Sequence, residues 1–102
     1  MKPLTGIRIL DFTTLLPGPL ATLMLSDAGA EVIKIEKIGG EEMRKSEPKI
    51  FDNSILFAML NRGKKSIEVN LKNPVYLEKI KKLIKKSDVI IEQFRPGVMA
   101  KL

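Results

Sequence analysis

The side chains of this 102-residue chain best suited to chemistry are cations placed just past short apolar runs: Lys37, Lys72, Arg95 and Lys101. Beside them stand Gln93, Phe94 and the turn Thr13 to Pro17. Cations gathered at one rim can neutralise several phosphates, while Phe94 offers a flat apolar surface to a base. The residue types therefore point to a phosphorylated, nucleotide-like ligand. The plainer reading stands beside it: lysine is the ordinary solvated residue after a strand, and a lone phenylalanine is more often core.

The chain has no histidine and no cysteine. That excludes Ser-His and Cys-His dyads, thiolate nucleophiles, disulfides and cysteine-bound metal, and it removes the commonest transition-metal ligand. Acid or base chemistry falls to carboxylates, lysines or Tyr76, with Asp11 and Glu36 as candidates that lack an identifiable partner. Neither a GxGxxG nor a GxxxxGK[ST] phosphate loop is present.

Four strands position these residues. Residues 6–13, 30–37, 66–72 and 88–94 read as strands, the third from the alternation of Ile67, Val69 and Leu71 with polar residues. Val89, Ile90 and Ile91 are consecutive, the pattern of a strand covered on both faces. Helices are predicted over 20–28, with Leu20, Leu23, Met24 and Leu25 inward and Gly29 as the stop, over 54–60, and over 75–86 with Asn73 as cap and Pro74 in the first turn. Residues 38–51 read as an irregular loop, and Arg95-Pro96-Gly97 turns into a last helix. Strands alternating with helices imply an α/β, Rossmann-like, mostly parallel sheet of about four strands with flanking helices. In such a sheet the carboxyl ends of the strands line up, which brings Thr13–Pro17, Lys37, Lys72 and Gln93–Arg95 to one rim.

The net charge is +6, concentrated between Arg62 and Lys86. Such a block suits polyanions of any kind, but five aromatics without clustering and no recognition motif count against nucleic acid. No run approaches the roughly 20 apolar residues of a membrane span, and MKPLTGIR has no signal-peptide core, so the expectation is a cytoplasmic protein.

Three blocks in order, KPLTGIRILDFTTLLPGPLATLMLSDAGAEVIKIEK, LNRGKKSIEVNLKNP and KKSDVIIEQFRPGVMAKL, resemble the N-terminus of the class III CoA-transferase family. That family includes formyl-CoA transferases, carnitine CoA-transferases and alpha-methylacyl-CoA racemases. The resemblance covers nearly the whole chain and is weakest from Ile38 to Phe51. It implies that residues 1–102 form the N-terminal part of a large CoA-binding domain, a truncated or split piece of a longer protein that forms interlocked homodimers.

By the same resemblance, the CoA-binding positions are Leu16, Pro17, Lys37, Val69, Asn70, Leu71, Lys72, Gln93, Phe94, Arg95 and Lys101. Lys37, Lys72 and Lys101 would pair with phosphates of the ADP moiety, and Val69, Leu71 and Phe94 would border the adenine. The family commonly has arginine at the positions of Lys37 and Lys101, and lysine keeps the charge while losing bidentate phosphate recognition. Leu16 stands where formyl-CoA transferases have glutamine, which counts against an oxalate-type transfer, and LLPGP is closer to the racemase branch. The family's catalytic aspartate, or the racemases' His and Asp pair, lies beyond these residues, so no catalytic residue is assigned. The implied reaction is CoA transfer between an acyl-CoA thioester and a carboxylic acid, with CoA as substrate and no metal, nucleic acid or membrane partner. The alternatives are an alpha-methylacyl-CoA racemase of the same family and, in another class, a non-catalytic CoA or nucleotide-binding module.

Overall fold

A computed structural model describes residues 2–101. The first apolar run forms β1 (Arg8–Asp11), and the chain turns through Phe12–Leu16 into α1 (Pro17–Asp27). Then follow β2 (Glu31–Glu36), a 3-10 turn at Glu42–Lys45, a small hairpin of β3 (Lys49–Ile50) and β4 (Asn53–Ser54), and α2 (Ile55–Asn61). The remaining elements are β5 (Lys65–Glu68), α3 (Pro74–Lys85), β6 (Val89–Ile91) and α4 (Val98–Lys101).

The main sheet has the order β5-β2-β1-β6 and every pairing in it is parallel. Ile9 lies opposite both Val32 and Val89, which aligns the exits of β1, β2 and β6. The connections run from β1 outward through β2 to β5, and then return to the far side of β1. The direction switches between β1 and β6, where open α/β sheets place ligands beyond the strand ends.

Alternation along β1 and β2 divides the core. Leu10, Phe12 and Ile35 join Val69 and Ile80 on one face of the sheet, where Leu83 and Ile84 of α3 pack. Ile9, Val32 and Ala30 pack with Leu25 of α1 on the other. Asn73 caps α3, its side chain accepting the Val75 N–H, and Ser54 does the same for α2 with Phe57.

α1 begins three residues earlier than the periodicity predicts. Prolines at 17 and 19 fall in its first turn, where missing N–H groups break no helical bond. Its buried face is also different: Pro19, Thr22 and Leu23 point inward, while Leu20 and Met24 are exposed. Thr22 can face the interior because its hydroxyl donates to Asp11 Oδ2 at 2.6 Å. The turn after α1 needs glycine, since Gly29 has φ +107° and a Cβ there would run into Lys2.

The third strand is shorter than its alternation predicts and less covered. β5 is an edge strand with all four residues exposed, and after Val69 the chain turns at Asn70, whose side chain accepts the Lys72 N–H. β6 is the opposite edge. Among the described residues it pairs with β1 alone, and Val89 and Ile90 are exposed rather than covered on both faces. Ile91, the third of the run, is half-buried against the cluster of Ile9 and Val32. The stretch 38–51, predicted as irregular, contains the 3-10 turn and the first strand of the hairpin.

Candidate functional site

The sheet's interior on the α1–α2 side is polar at its carboxyl end. β2 continues Val32's face with Lys34 and Glu36, both buried. Glu36 is held by bidentate contacts from Arg44, Nε to Oε1 and Nη2 to Oε2, each at 2.7 Å, and it accepts from the Ser66 hydroxyl and the Glu41 N–H. Burial pushes this carboxyl up, but Arg44, Ser66 and the Glu41 amide together bring it down to about 2. Glu36 is thus a fixed anion that anchors the 3-10 turn, not an acid or base. Arg44 also lies over the Phe57 ring at 4.0 Å.

Asp11, the other carboxylate singled out in the sequence, is likewise saturated. Its Oδ1 accepts from the Thr13 amide (2.8 Å) and hydroxyl (2.5 Å), and its Oδ2 from Thr22. Lys64 Nζ lies 3.5 Å from Oδ2 and donates to Asn61 Oδ1 and the Pro19 carbonyl. Burial lowers the Lys64 pKa, opposed by the charge of Asp11. These contacts lock α1, α2 and β1 together. Gly18 belongs to the same packing: a Cβ there would overlap the Thr13 side chain, so this glycine serves close approach rather than phosphate contact.

A cavity of about 580 Å³ opens at the carboxyl ends of the strands. Its size falls within the usual range for a small-molecule site, roughly 300–1,000 Å³. Phe12, Thr14 and Leu15 line it from the exit of β1; Lys37, Ile38 and Glu41 from that of β2. Val69, Asn70, Leu71 and Lys72 contribute after β5, and Phe94 and Val98 after β6. The rings of Phe12 and Phe94 meet edge-on, with centroids 6.2 Å apart.

Of the positions expected to bind ligand, Lys37, Val69, Asn70, Leu71, Lys72 and Phe94 therefore come together on one cavity. Leu16, Pro17, Gln93, Arg95 and Lys101 are not among its lining residues. Leu16 is the cap residue of α1 and Pro17 its first residue; Leu15 reaches the cavity in their place. Gln93 acts from behind, its Nε2 donating at 3.1 Å to both the carbonyl and the hydroxyl of Thr14. Arg95 and Lys101 are exposed.

The two cations on the rim differ. Lys37 is paired with Glu42 at 2.5 Å, both side chains being well exposed. Its ammonium holds the Glu42 carboxyl below the ordinary carboxylate range. Lys72 has no ion-pair partner among the described residues. Among these residues no cluster of three or more acidic side chains could hold a metal ion, and no helix is long and apolar enough to cross a membrane.

Sequence reasoning missed Lys34, Glu41 and Lys64. A lysine at the centre of VIKIE on the same face as Val32 carries a weak signal, because in a central strand it must be buried and paired. Glu41 lies in an unpatterned loop and carries none.

A four-stranded parallel sheet with flanking helices and a cavity at its carboxyl edge defines an α/β architecture of the kind that generally places ligands beyond the strand ends. The chain belongs to CoA-transferase family III, whose profile matches residues 4–102. It is 45% identical over its whole length to succinyl-CoA:glutarate CoA-transferase of Mus musculus, covering 24% of that protein. It is 44% identical to formyl-CoA:oxalate CoA-transferase of Bradyrhizobium diazoefficiens, with 99% of the chain and 24% of the relative covered. Among solved structures, a hypothetical protein from Mycobacterium tuberculosis superposes with a TM-score of 0.91 at 46% identity, covering 99% of this chain and 28% of that one. A CAIB/BAIF family protein from Brucella suis gives 0.90 at 31% identity, with 98% and 28% covered. The chain spans about a quarter of the length of these curated relatives and aligns with their N-terminal part.

Proposed function

We propose that the cavity at the carboxyl ends of the strands holds the nucleotide portion of coenzyme A, and that the chain is the CoA-binding segment of an enzyme transferring CoA between carboxylic acids. The observation that carries this is the joining, on one cavity, of two rim lysines with an apolar floor of Val69, Leu71 and Phe94. Lys37 and Lys72 supply charge to the phosphates, and the floor accepts a base by apolar contact. Lys101 and Arg95, exposed on the last turn and helix, belong to the same proposal as outer phosphate contacts. Leu16, Pro17 and Gln93 join it through the turn after β1, which Gln93 holds at Thr14.

The transferase reading is favoured over the racemase by the curated relatives, which include succinyl-CoA:glutarate, formyl-CoA:oxalate and acetyl-CoA:oxalate CoA-transferases. No group among Asp11, Glu36 and Lys64 is free to act as nucleophile or base, since each is saturated by internal partners. Their role is structural: they fix α1, the turn after β1 and the 3-10 turn around the cavity. Calorimetric titration of the chain with CoA tests the proposal: weak binding that fades with added salt supports a phosphate rim. Binding indifferent to salt, or none at millimolar CoA, overturns it.

A further inference from the structure

We propose that the buried Lys34–Glu41 ion pair is a positioning device for the turn after β1, setting the backbone of Thr13–Leu15 as a wall of the cavity. This rests on the reading of that cavity as the CoA site. Both side chains are only 1% exposed. Each carries a second bond to the turn: Lys34 Nζ donates to the Thr13 carbonyl at 3.0 Å, and Glu41 Oε1 accepts the Leu15 N–H at 3.1 Å. The pair thus grips the turn at two points of alternate residues, one through a carbonyl and one through an amide.

Packing holds Leu15 only in part. The residue is 46% exposed and its backbone sits in the left-handed region at φ +65°, which a leucine does not choose unaided. Its amide is held by the hydrogen bond to Glu41, and the carbonyl and hydroxyl of Thr14 by Gln93. Glu41 is itself fixed, its own amide donating to Glu36 Oε1 at 3.0 Å, and Glu36 is fixed by Arg44. A chain of contacts therefore runs from the 3-10 turn through Glu36 and Glu41 to the cavity wall. Lys34 does not line the cavity, and it acts there only through Glu41 and Thr13.

A buried ion pair is generally no better for stability than well-packed apolar residues of the same volume. That separates positioning from folding. The double substitution Lys34→Met, Glu41→Leu removes both grips while filling the space. It is expected to melt at or above the wild-type temperature, to exchange the Leu15 amide proton at least about ten-fold faster, and to bind CoA about ten-fold more weakly, the upper end for one lost hydrogen bond. Release of the Leu15 amide with unchanged CoA affinity would overturn the proposal, and so would a Leu15 amide that stays protected. Glu41→Gln is the second variant, keeping volume and an acceptor for Leu15. It leaves Lys34 without a counter-charge and so lowers the melting temperature, but in the folded protein it should hold the amide protected and CoA affinity within about two-fold of wild type, the lower end for a hydrogen bond. A ten-fold loss in Glu41→Gln with Leu15 still protected would assign the effect to charge rather than to the turn, again overturning the proposal. If the wild-type chain does not bind CoA, yet its Leu15 amide is protected and the double substitution frees it, the CoA reading fails while the clamp stands.

Discussion

Lys37 and Glu42 face each other at 2.5 Å on the rim of the cavity, so one of its two lysines is already engaged by a carboxylate. An exposed pair of this kind contributes little to folding and yields readily to a stronger partner. Its consequence lies in binding. A phosphate reaching Lys37 must displace Glu42, and Glu42 repels it. Glu42→Gln is expected to tighten CoA binding by about two- to five-fold at low ionic strength, with the gain shrinking as salt is added. Titration calorimetry at two salt concentrations measures this; weaker binding by Glu42→Gln would place the phosphates elsewhere.

Glu36 makes the fold acid-sensitive in a defined window. Its carboxyl lies at about 2 in the folded chain against 4.5 ordinarily. A carboxyl depressed by folding contributes stability that is fully present above its unfolded value and is lost as pH falls through the folded one. The loss therefore runs from about pH 4.5 down to about 2 and amounts to on the order of 2 to 3 kcal/mol, allowing for screening at the partly exposed Arg44. Melting temperatures across this range should fall steeply in the wild type and less so in Glu36→Gln. Parallel curves would mean that Glu36 is not the titrating group.

Lys64 is a buried cation whose removal should cost stability. Its side chain is 1% exposed and lies against the fully buried Asp11. Lys64→Met leaves that carboxylate with its Thr13 and Thr22 bonds but no counter-charge, and breaking such a pair costs about 3 to 5 kcal/mol. Chemical denaturation provides the check. A loss below about 1 kcal/mol, the size of an ordinary surface ion pair, would mean that the hydroxyls suffice.

Uncovered apolar surface should show in solution. Val89 and Ile90 on the edge strand β6, and Leu20 and Met24 on α1, are exposed. An unpaired edge beside such residues promotes association. Sedimentation is expected to quicken with concentration, and a monodisperse monomer at every concentration would contradict this.

Much of the architecture is legible in the sequence because its signals are local. Asn73 and Pro74 announce α3, Gly29 ends α1, and the alternation around Ile67 marks a strand near its place. The rim at Lys37 and Lys72 follows from those strands being parallel. What the sequence hides depends on partners far along the chain. Lys34 meets Glu41 across a loop without periodicity, and Lys64 meets Asp11 from 53 residues away. Val89 to Ile91 read as a doubly covered strand because their composition says how much burial they favour, whereas the position of β6 at the edge decides how much they receive.

A rim that holds phosphate through particular lysines, rather than through a generally basic surface, must distinguish Lys72 from Lys82. Lys72 lies on the cavity, and Lys82 is exposed on α3 and does not line it. Calorimetric titration of CoA into Lys72→Ala and Lys82→Ala sets them side by side. Lys72→Ala is expected to weaken binding by about 1 to 3 kcal/mol, the range for a charge-assisted hydrogen bond, with a shallower salt dependence. Lys82→Ala should bind as the wild type does. Equal losses at the two positions would contradict the account, since any polyanion would then satisfy the basic face.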